Sequence, residues 1–456
     1  MLIEQYGLRD KGKKMNYNKY LRPSVLYYSL VFLGYVIFLF IPGFRTGVFA
    51  AALMVAILIE ASLNVIKSDK PSDFISLLNI SVLAYFIYNF VSFIWILKNG
   101  FPISVYVEEF SNSILPIVFF FVAVCVFNKD RENSISIDVF YKFFLYSFAA
   151  LSVVCIILYA WAPQFYCDYL FNMSLISKAD AQTVQVRMEG LTGSTHIGYL
   201  GVASMLVASK YMYECLEKIG IASKDFKLKA MNSNQKSLFV KTLVYAFLFV
   251  FNFIVVFMAN GRAAMVCGLL VIVYLNFLVF VAFKFIDKKY MYIEIGVIIA
   301  LIIVMAIATP GVASKVWARL VSLPGAVGQR SEQWVAAINN MYGQWFGNGL
   351  GANGHKALYV EGAHVIPDGG LVKLYCEEGA LGFALYVYIM LCTFRNGIKN
   401  IKECFCELGI IGCALLISIG SNVIAFQPCM PIFWFAAGVT CVSCGAWKKV
   451  DKKEKN

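Results

Sequence analysis

Charge is what this chain most lacks. Only 14% of its 456 residues are Asp, Glu, Lys or Arg, whereas a soluble domain carries about a quarter. Hydrophobic residues make up 60%, and that balance excludes an ordinary water-soluble globule. There are just three histidines. No Gly-x-x-x-x-Gly-Lys-Ser/Thr loop and no Asp-x-Asp occur, so neither a phosphate-cradling nucleotide loop nor a paired-aspartate metal motif is present. The thirteen cysteines fall mostly inside apolar runs, where they act as small apolar residues, and neither a disulfide framework nor a Cys-x-x-Cys metal site is supported.

What the chain has in abundance is long apolar runs. A membrane helix needs about 20 apolar residues, because the hydrocarbon core is about 30 Å thick and each residue rises about 1.5 Å. Windows of that length predict twelve spans, near 24–41, 47–66, 74–97, 113–127, 139–162, 192–213, 238–258, 263–283, 291–309, 371–394, 405–426 and 430–446. The chain therefore reads as an all-α polytopic membrane protein, one integral membrane domain over 1–456. The net charge of +12 follows topology and does not point to nucleic acid. Both tails, 1–22 and 447–456, are basic, and alternate loops bring 26 of the 39 Lys and Arg to one face. By the positive-inside rule that face, with both termini, is cytoplasmic. The basic start runs into a full-length apolar segment without a small-residue cleavage site, so no cleavable signal peptide is expected.

The segments assigned to the opposite face carry the candidate chemistry. In the loop 98–112, Glu108 and Glu109 are adjacent carboxylates that point to different sides of a helix or strand, and they read as solvated loop charge. The loop 163–191 delivers Arg187-Met-Glu-Gly190 to the sixth span, with His196 at its mouth. Arg187 fits snorkelling to the interface and phosphate binding equally well. Between the seventh and eighth spans stands Asn260-Gly-Arg262, where a guanidinium is costly unless an anion meets it.

The longest such region is 310–370. Across residues 330–346, Trp334, Ala337, Ile338, Met341 and Trp345 share one stripe, which predicts an interfacial amphipathic helix anchored by its tryptophans, with Arg330 on the same stripe. Phe346-Gly-Asn-Gly-Leu-Gly-Ala-Asn-Gly354 permits a close-approaching backbone whose N–H groups suit an anion. His355 and His364 follow. Asp368, just before the tenth span, suits helix capping and base catalysis equally.

In order and topology, these residues resemble the O-antigen ligase and polymerase superfamily over roughly 187–390. The likeness rests on Arg187 with Glu189-Gly190, on Asn260-Gly-Arg262, on Arg330 followed by Trp334, on Phe346-Gly-Asn-Gly-Leu-Gly351, and on Asp368 ahead of Glu378-Gly379-Ala-Leu-Gly382. The resemblance implies a GT-C-like, metal-independent glycosyltransferase of the bacterial inner membrane, acting in polysaccharide or lipopolysaccharide biosynthesis on undecaprenyl-diphosphate-linked glycans at the outer face. Ligases of the superfamily typically place a histidine where Asp368 stands, which favours a polymerase of lipid-linked repeat units. On that reading Asp368 or His364 is the base and Arg262 and Arg330 are catalytic. Arg187, Arg262, Arg330, Arg319, His196 and the backbone of Gly349 and Gly351 hold the diphosphate.

No metal, cofactor or nucleic acid is implied. A chain-length regulator protein and a flippase are the implied protein partners. Two alternatives stand beside this: a ligase that moves polymer onto a lipid A-core or protein acceptor, and a flippase or transporter of the lipid-linked glycan. The transporter would carry charged or broken helices within the membrane.

Overall fold

A computed structural model describes residues 76–126, 137–172, 187–191, 193–219, 232–283, 323–426 and 428–453, with a few single positions between them. The predicted spans 24–41, 47–66 and 291–309 lie outside the described residues except for isolated positions, and so does Arg319. Among the described residues the structure is helix and turn, with no strand.

The principal helices are α1 (Leu77–Lys98), α2 (Ile103–Val124), α3 (Ile137–Trp161), α4 (Pro163–Asn172), α5 (Ser194–Ile219), α6 (Ser233–Met258), α7 (Arg262–Val279), α8 (Leu323–Asn339), α9 (Gly370–Lys399), α10 (Ile401–Ile419) and α11 (Met430–Lys453). Six of them, α1, α2, α3, α6, α7 and α9, are long and apolar enough to cross a membrane.

The lipid-facing helices are recognisable by inversion. On α1 the inward stripe holds Asn79, Ser81, Tyr85 and Asn89, while Leu77, Ile80, Leu83, Ile87, Phe90, Ile94 and Leu97 face outward. In water this arrangement would be backwards; in a bilayer, polar groups gain by turning to protein partners and leucine loses nothing by facing lipid. The outward faces of α6 (Val240, Leu243, Val244, Phe247) and α7 (Leu269, Leu270, Val273, Phe277) repeat it. Local signals set the starts. Ser76 accepts the Asn79 amide at 3.1 Å before α1, and Asn232 forms a reciprocal capping box with Gln235 before α6.

Helices α5, α10 and α11 form the interior. From Tyr199 to Ala208 nearly every side chain of α5 is enclosed. Close approach depends on small residues: a Cβ on Gly198 would fall 2.7 Å from Ala264, one on Gly201 2.7 Å from Val256, and one on Gly409 2.7 Å from Leu206. Packed on all sides by protein, α5 does not need the unbroken apolar surface of a lipid-facing helix, and this is why it falls outside the six.

Three boundaries correct the sequence reading. Helix α2 starts ten residues before the predicted span, so Glu108 and Glu109 belong to the helix and not to a loop. The predicted span 405–426 stops at Ile419, and residues 420–426 form a bend and a short 3-10 turn. The amphipathic helix is Leu323–Asn339, so Trp345 lies beyond it and is exposed.

Candidate functional site at one end of the bundle

The N-termini of α5, α7 and α9 and the C-termini of α6 and α10 meet at one end of the bundle. The segment 420–426, between α10 and α11, runs through the middle of this end. Its Ser421 carbonyl accepts the first amide of α9, Gly370 N–H, at 2.9 Å. Asn422 Nδ2 donates to the carbonyls of Ile366 and Pro367, each at 2.9 Å. Phe426 packs on His196 of α5, ring centroids 4.2 Å apart.

Arg330 and Asp368 form an ion pair on this platform. Both Nε (3.1 Å) and Nη2 (2.6 Å) of Arg330 donate to the same carboxylate oxygen, Oδ2. The side chains are 27% and 40% exposed, so the pair sits at the water boundary. The capping role weighed for Asp368 is not what its carboxylate does. Gly369 is the N-cap of α9 and has no side chain to cover the helix end. Gly369 holds φ +116 because Trp334 Nε1 donates to the Asp368 carbonyl at 2.6 Å, and a Cβ there would meet that indole at 2.4 Å. Trp334 is therefore fixed to protein, together with Ala337, Ile366 and Cys376, and not to headgroups as expected. The exposed apolar side chains of this region include Val335, Ile338, Trp345 and Phe346.

The other two arginines lie on neighbouring stretches of chain. Arg187 Nε is 3.3 Å from Glu189 Oε1, and the amide between them, Met188 N–H, donates to the Met258 carbonyl at the end of α6. Asn260 then turns the chain in the left-handed region, φ 51, a conformation that Asn tolerates better than most residues. Arg262 opens α7 behind the Gly261 N-cap and is half-buried. The stretches that carry Arg187 and Arg262 are joined by that Met188–Met258 hydrogen bond. Arg330 is linked to the same end through Gly420, where an added Cβ would lie 3.4 Å from Nη1. Three helix N-termini, with their positive dipole ends, point here as well.

The glycine-rich loop does something the sequence did not suggest. Helix α9 is broken at Gly379 (φ 68, ψ −172), and the loop 343–351 is wedged into the break. Ala380 and Leu381 donate their amides out of the helix to the Gln344 and Trp345 carbonyls, at 2.8 and 3.1 Å. Gly349 N–H donates to the Glu377 carbonyl at 2.9 Å, and Gly351 N–H serves the Glu377 carboxyl. The loop does cradle an acidic side chain, and that side chain is the protein's own Glu377. A Cβ on Gly347 would strike Glu377 O at 2.5 Å and one on Gly351 would strike Val105 O at 2.6 Å, so close approach is what these glycines provide.

Below the loop lies a buried ionic cluster that sequence reasoning missed. Lys373 Nζ is 2.6 Å from Glu109 Oε1 and 3.8 Å from Glu377 Oε1, with all three side chains almost fully enclosed. Asn353 N–H donates to Glu377 Oε1 at 3.1 Å, and Asn353 Nδ2 donates to the His364 carbonyl at 2.6 Å. The solvated reading of Glu109 is corrected: it is a partner of Lys373. The available signal was Lys373 four residues before Glu377 inside an apolar window, since such charges are seldom left alone in membrane helices. Of the remaining candidates, His364 is exposed, with its carbonyl held by Asn353. His355 beside the cluster is made less basic by partial desolvation and by the Lys373 ammonium.

These features define the class: a multi-pass helical membrane protein with a half-exposed ion pair and a buried ionic cluster at one end of the bundle. No family model matches the chain, and no curated protein matches it in sequence.

Proposed function

We propose that this protein is a polymerase of lipid-linked oligosaccharide repeat units, a glycosyltransferase that needs no metal for diphosphate departure. What supports this reading is that the segments carrying Arg187, Arg262 and Arg330, far apart in sequence, and three helix N-termini all belong to the bundle end threaded by residues 420–426. A diphosphate is the anion that such forks and dipoles suit, because guanidinium bonds phosphate oxygens in pairs.

In the reaction, the terminal sugar hydroxyl of one lipid-linked repeat attacks the anomeric carbon of the donor chain. The carbon–oxygen bond to undecaprenyl diphosphate breaks, its electron pair goes to the diphosphate, and the hydroxyl proton goes to Asp368 or His364. Arg330 now holds Asp368, and a diphosphate arriving at Arg330 would compete for that guanidinium and free the carboxylate. We further assign twelve crossings, with both termini cytoplasmic and this end external, in a bacterial inner membrane. The basic tails and loops support that assignment.

The test is chain extension by purified protein in liposomes supplied with a lipid-linked repeat alone. A ladder of products is expected. Arg262→Ala and Arg330→Ala are each expected to cut its rate by about a hundredfold or more, as loss of one preplaced donor does. Normal ladders from both variants reject the role, and product only after a second acceptor is added makes the enzyme a ligase.

The transporter reading gains one observation, the broken α9 with buried Lys373, Glu109 and Glu377, which is the feature expected of a carrier helix. A carrier would move fluorescent lipid-linked glycan across the liposome bilayer without lengthening it.

A further inference from the structure

The backbone that carries Asp368 is held by three other segments of the chain. Asn353 Nδ2 donates to the His364 carbonyl at 2.6 Å, and the Asn353 carbonyl accepts Ile366 N–H at 2.9 Å. Asn422 Nδ2 donates to the carbonyls of both Ile366 and Pro367, and Trp334 Nε1 donates to that of Asp368 itself. Three consecutive carbonyls are thus each met by a side-chain N–H. The bond from Gly370 N–H to the Ser421 carbonyl closes the row, and packing there is tight: a Cβ on Gly370 would lie 3.0 Å from that oxygen and 3.4 Å from Asn422 Cα.

These bonds differ in kind from the Arg330–Asp368 pair. Asn422 is 3% exposed, and its two carbonyl acceptors fix which way its amide points. Removing it strands the carbonyl of Ile366, a residue 0% exposed, which is costlier than losing a bond that water can replace. The ion pair stands at the water boundary and so contributes little to holding the backbone. Trp334 follows Arg330 by one helical turn on α8, and the helix grips residue 368 twice, by guanidinium at the carboxylate and by indole at the carbonyl. The guanidinium is open to an arriving anion. The indole, packed with Ala337, Ile366 and Cys376, is not.

We propose that Asn422 and Trp334 are positioning residues: they fix the backbone at Asp368 without help from Arg330, so that a diphosphate taking the guanidinium frees the carboxylate in place. On a slack loop the freed carboxylate would drift from the acceptor hydroxyl; on a pinned one it keeps the geometry that proton transfer needs. The consequence for catalysis rests on the reading of Arg330 as a diphosphate ligand and Asp368 as a base, whereas the pinning itself does not.

The experiment is hydrogen exchange of the full-length protein in nanodiscs, followed at residues 364–370. Exchange of this segment in Arg330→Ala is expected to match wild type. Asn422→Leu, which keeps a side chain of similar size without a donor, and Trp334→Phe, which keeps a ring without the N–H, are each expected to raise it several-fold while the rest of the bundle exchanges as in wild type. A rise in Arg330→Ala equal to that in Asn422→Leu overturns the proposal, since the ion pair would then be the fastening. So does wild-type exchange in both Asn422→Leu and Trp334→Phe. If Asn422→Leu does not accumulate, Trp334→Phe against Arg330→Ala decides in the same way. In chain extension, kcat per site titrated with undecaprenyl diphosphate is expected to fall about tenfold or more in Asn422→Leu with the donor KM unchanged. Fewer sites with an unchanged kcat per site would mean a structural role only and overturn the positioning role. Absence of any ladder from the wild type rejects glycan transfer, and the exchange pattern still decides the pinning.

Discussion

Within ten residues, the chain around the start of α9 builds two ion pairs of opposite character. Arg330 and Asp368 meet at the water boundary, with 27% and 40% of their side chains exposed, whereas Lys373 and Glu109 meet at the same 2.6 Å with 5% and 12% exposed. Distance is equal, so surroundings decide what each pair does. The exposed pair is worth about 0–1 kcal/mol, and an arriving anion can take its arginine. The buried pair cannot be opened cheaply, because whichever charge remains is stranded out of water. One pair stands open to water, the other lies beside the wedge of loop in the broken helix.

Several substitutions sharpen that contrast. The largest effect is expected from Lys373→Met, which leaves Glu109 and Glu377 facing each other without an ammonium. The cost should be about 3–5 kcal/mol, read as a large fall in the thermal midpoint of detergent-solubilised protein. A midpoint within error of wild type would place Lys373 outside the structural role. Next, Gly379→Ala sets a Cβ 2.4 Å from Gly347 N at φ 68, and should cost about 1–3 kcal/mol with heightened proteolysis between residues 343 and 351.

Arg330→Ala should move stability by no more than about 1 kcal/mol while chain extension collapses, the reverse of Lys373→Met. Equal losses of stability and activity in the two variants would erase the distinction. The smallest effect concerns His355. Its affinity for a proton is lower in the folded chain than the usual value of 6.5, so the unfolded state binds more protons near that pH. The associated stability is complete above about 6.5, declines as pH falls below it, and should be flattened by His355→Gln.

Much of this architecture is legible from periodicity and much of the site is not. Lipid-facing helices such as α1, α6 and α7 announce themselves, because the bilayer asks only for about 20 apolar residues in a row. The arginine positions are likewise visible, since Arg187, Arg262 and Arg330 stand at the edges of apolar runs. What sequence could not assign was where polar groups spend their hydrogen bonds. Asn260-Gly261 reads as a turn and is one, yet Phe346-Gly-Asn-Gly-Leu-Gly351 also reads as a cradle for an outside anion, and its amides meet Glu377. Glu109 looked like solvated loop charge because its partner, Lys373, comes more than two hundred and fifty residues later. The 420–426 bend lies in a run apolar enough to pass for membrane helix, although Asn422 and the Pro428–Pro431 stretch hinted at its end.

The central claim is that the arginines at this end of the bundle hold a lipid diphosphate. It is tested most directly by titrating undecaprenyl diphosphate into the wild-type protein and into Arg262→Ala and Arg330→Ala in nanodiscs. Each variant is expected to bind about tenfold or more weakly, about 1.4 kcal/mol, with its fold intact. Unchanged affinity in both would contradict the account.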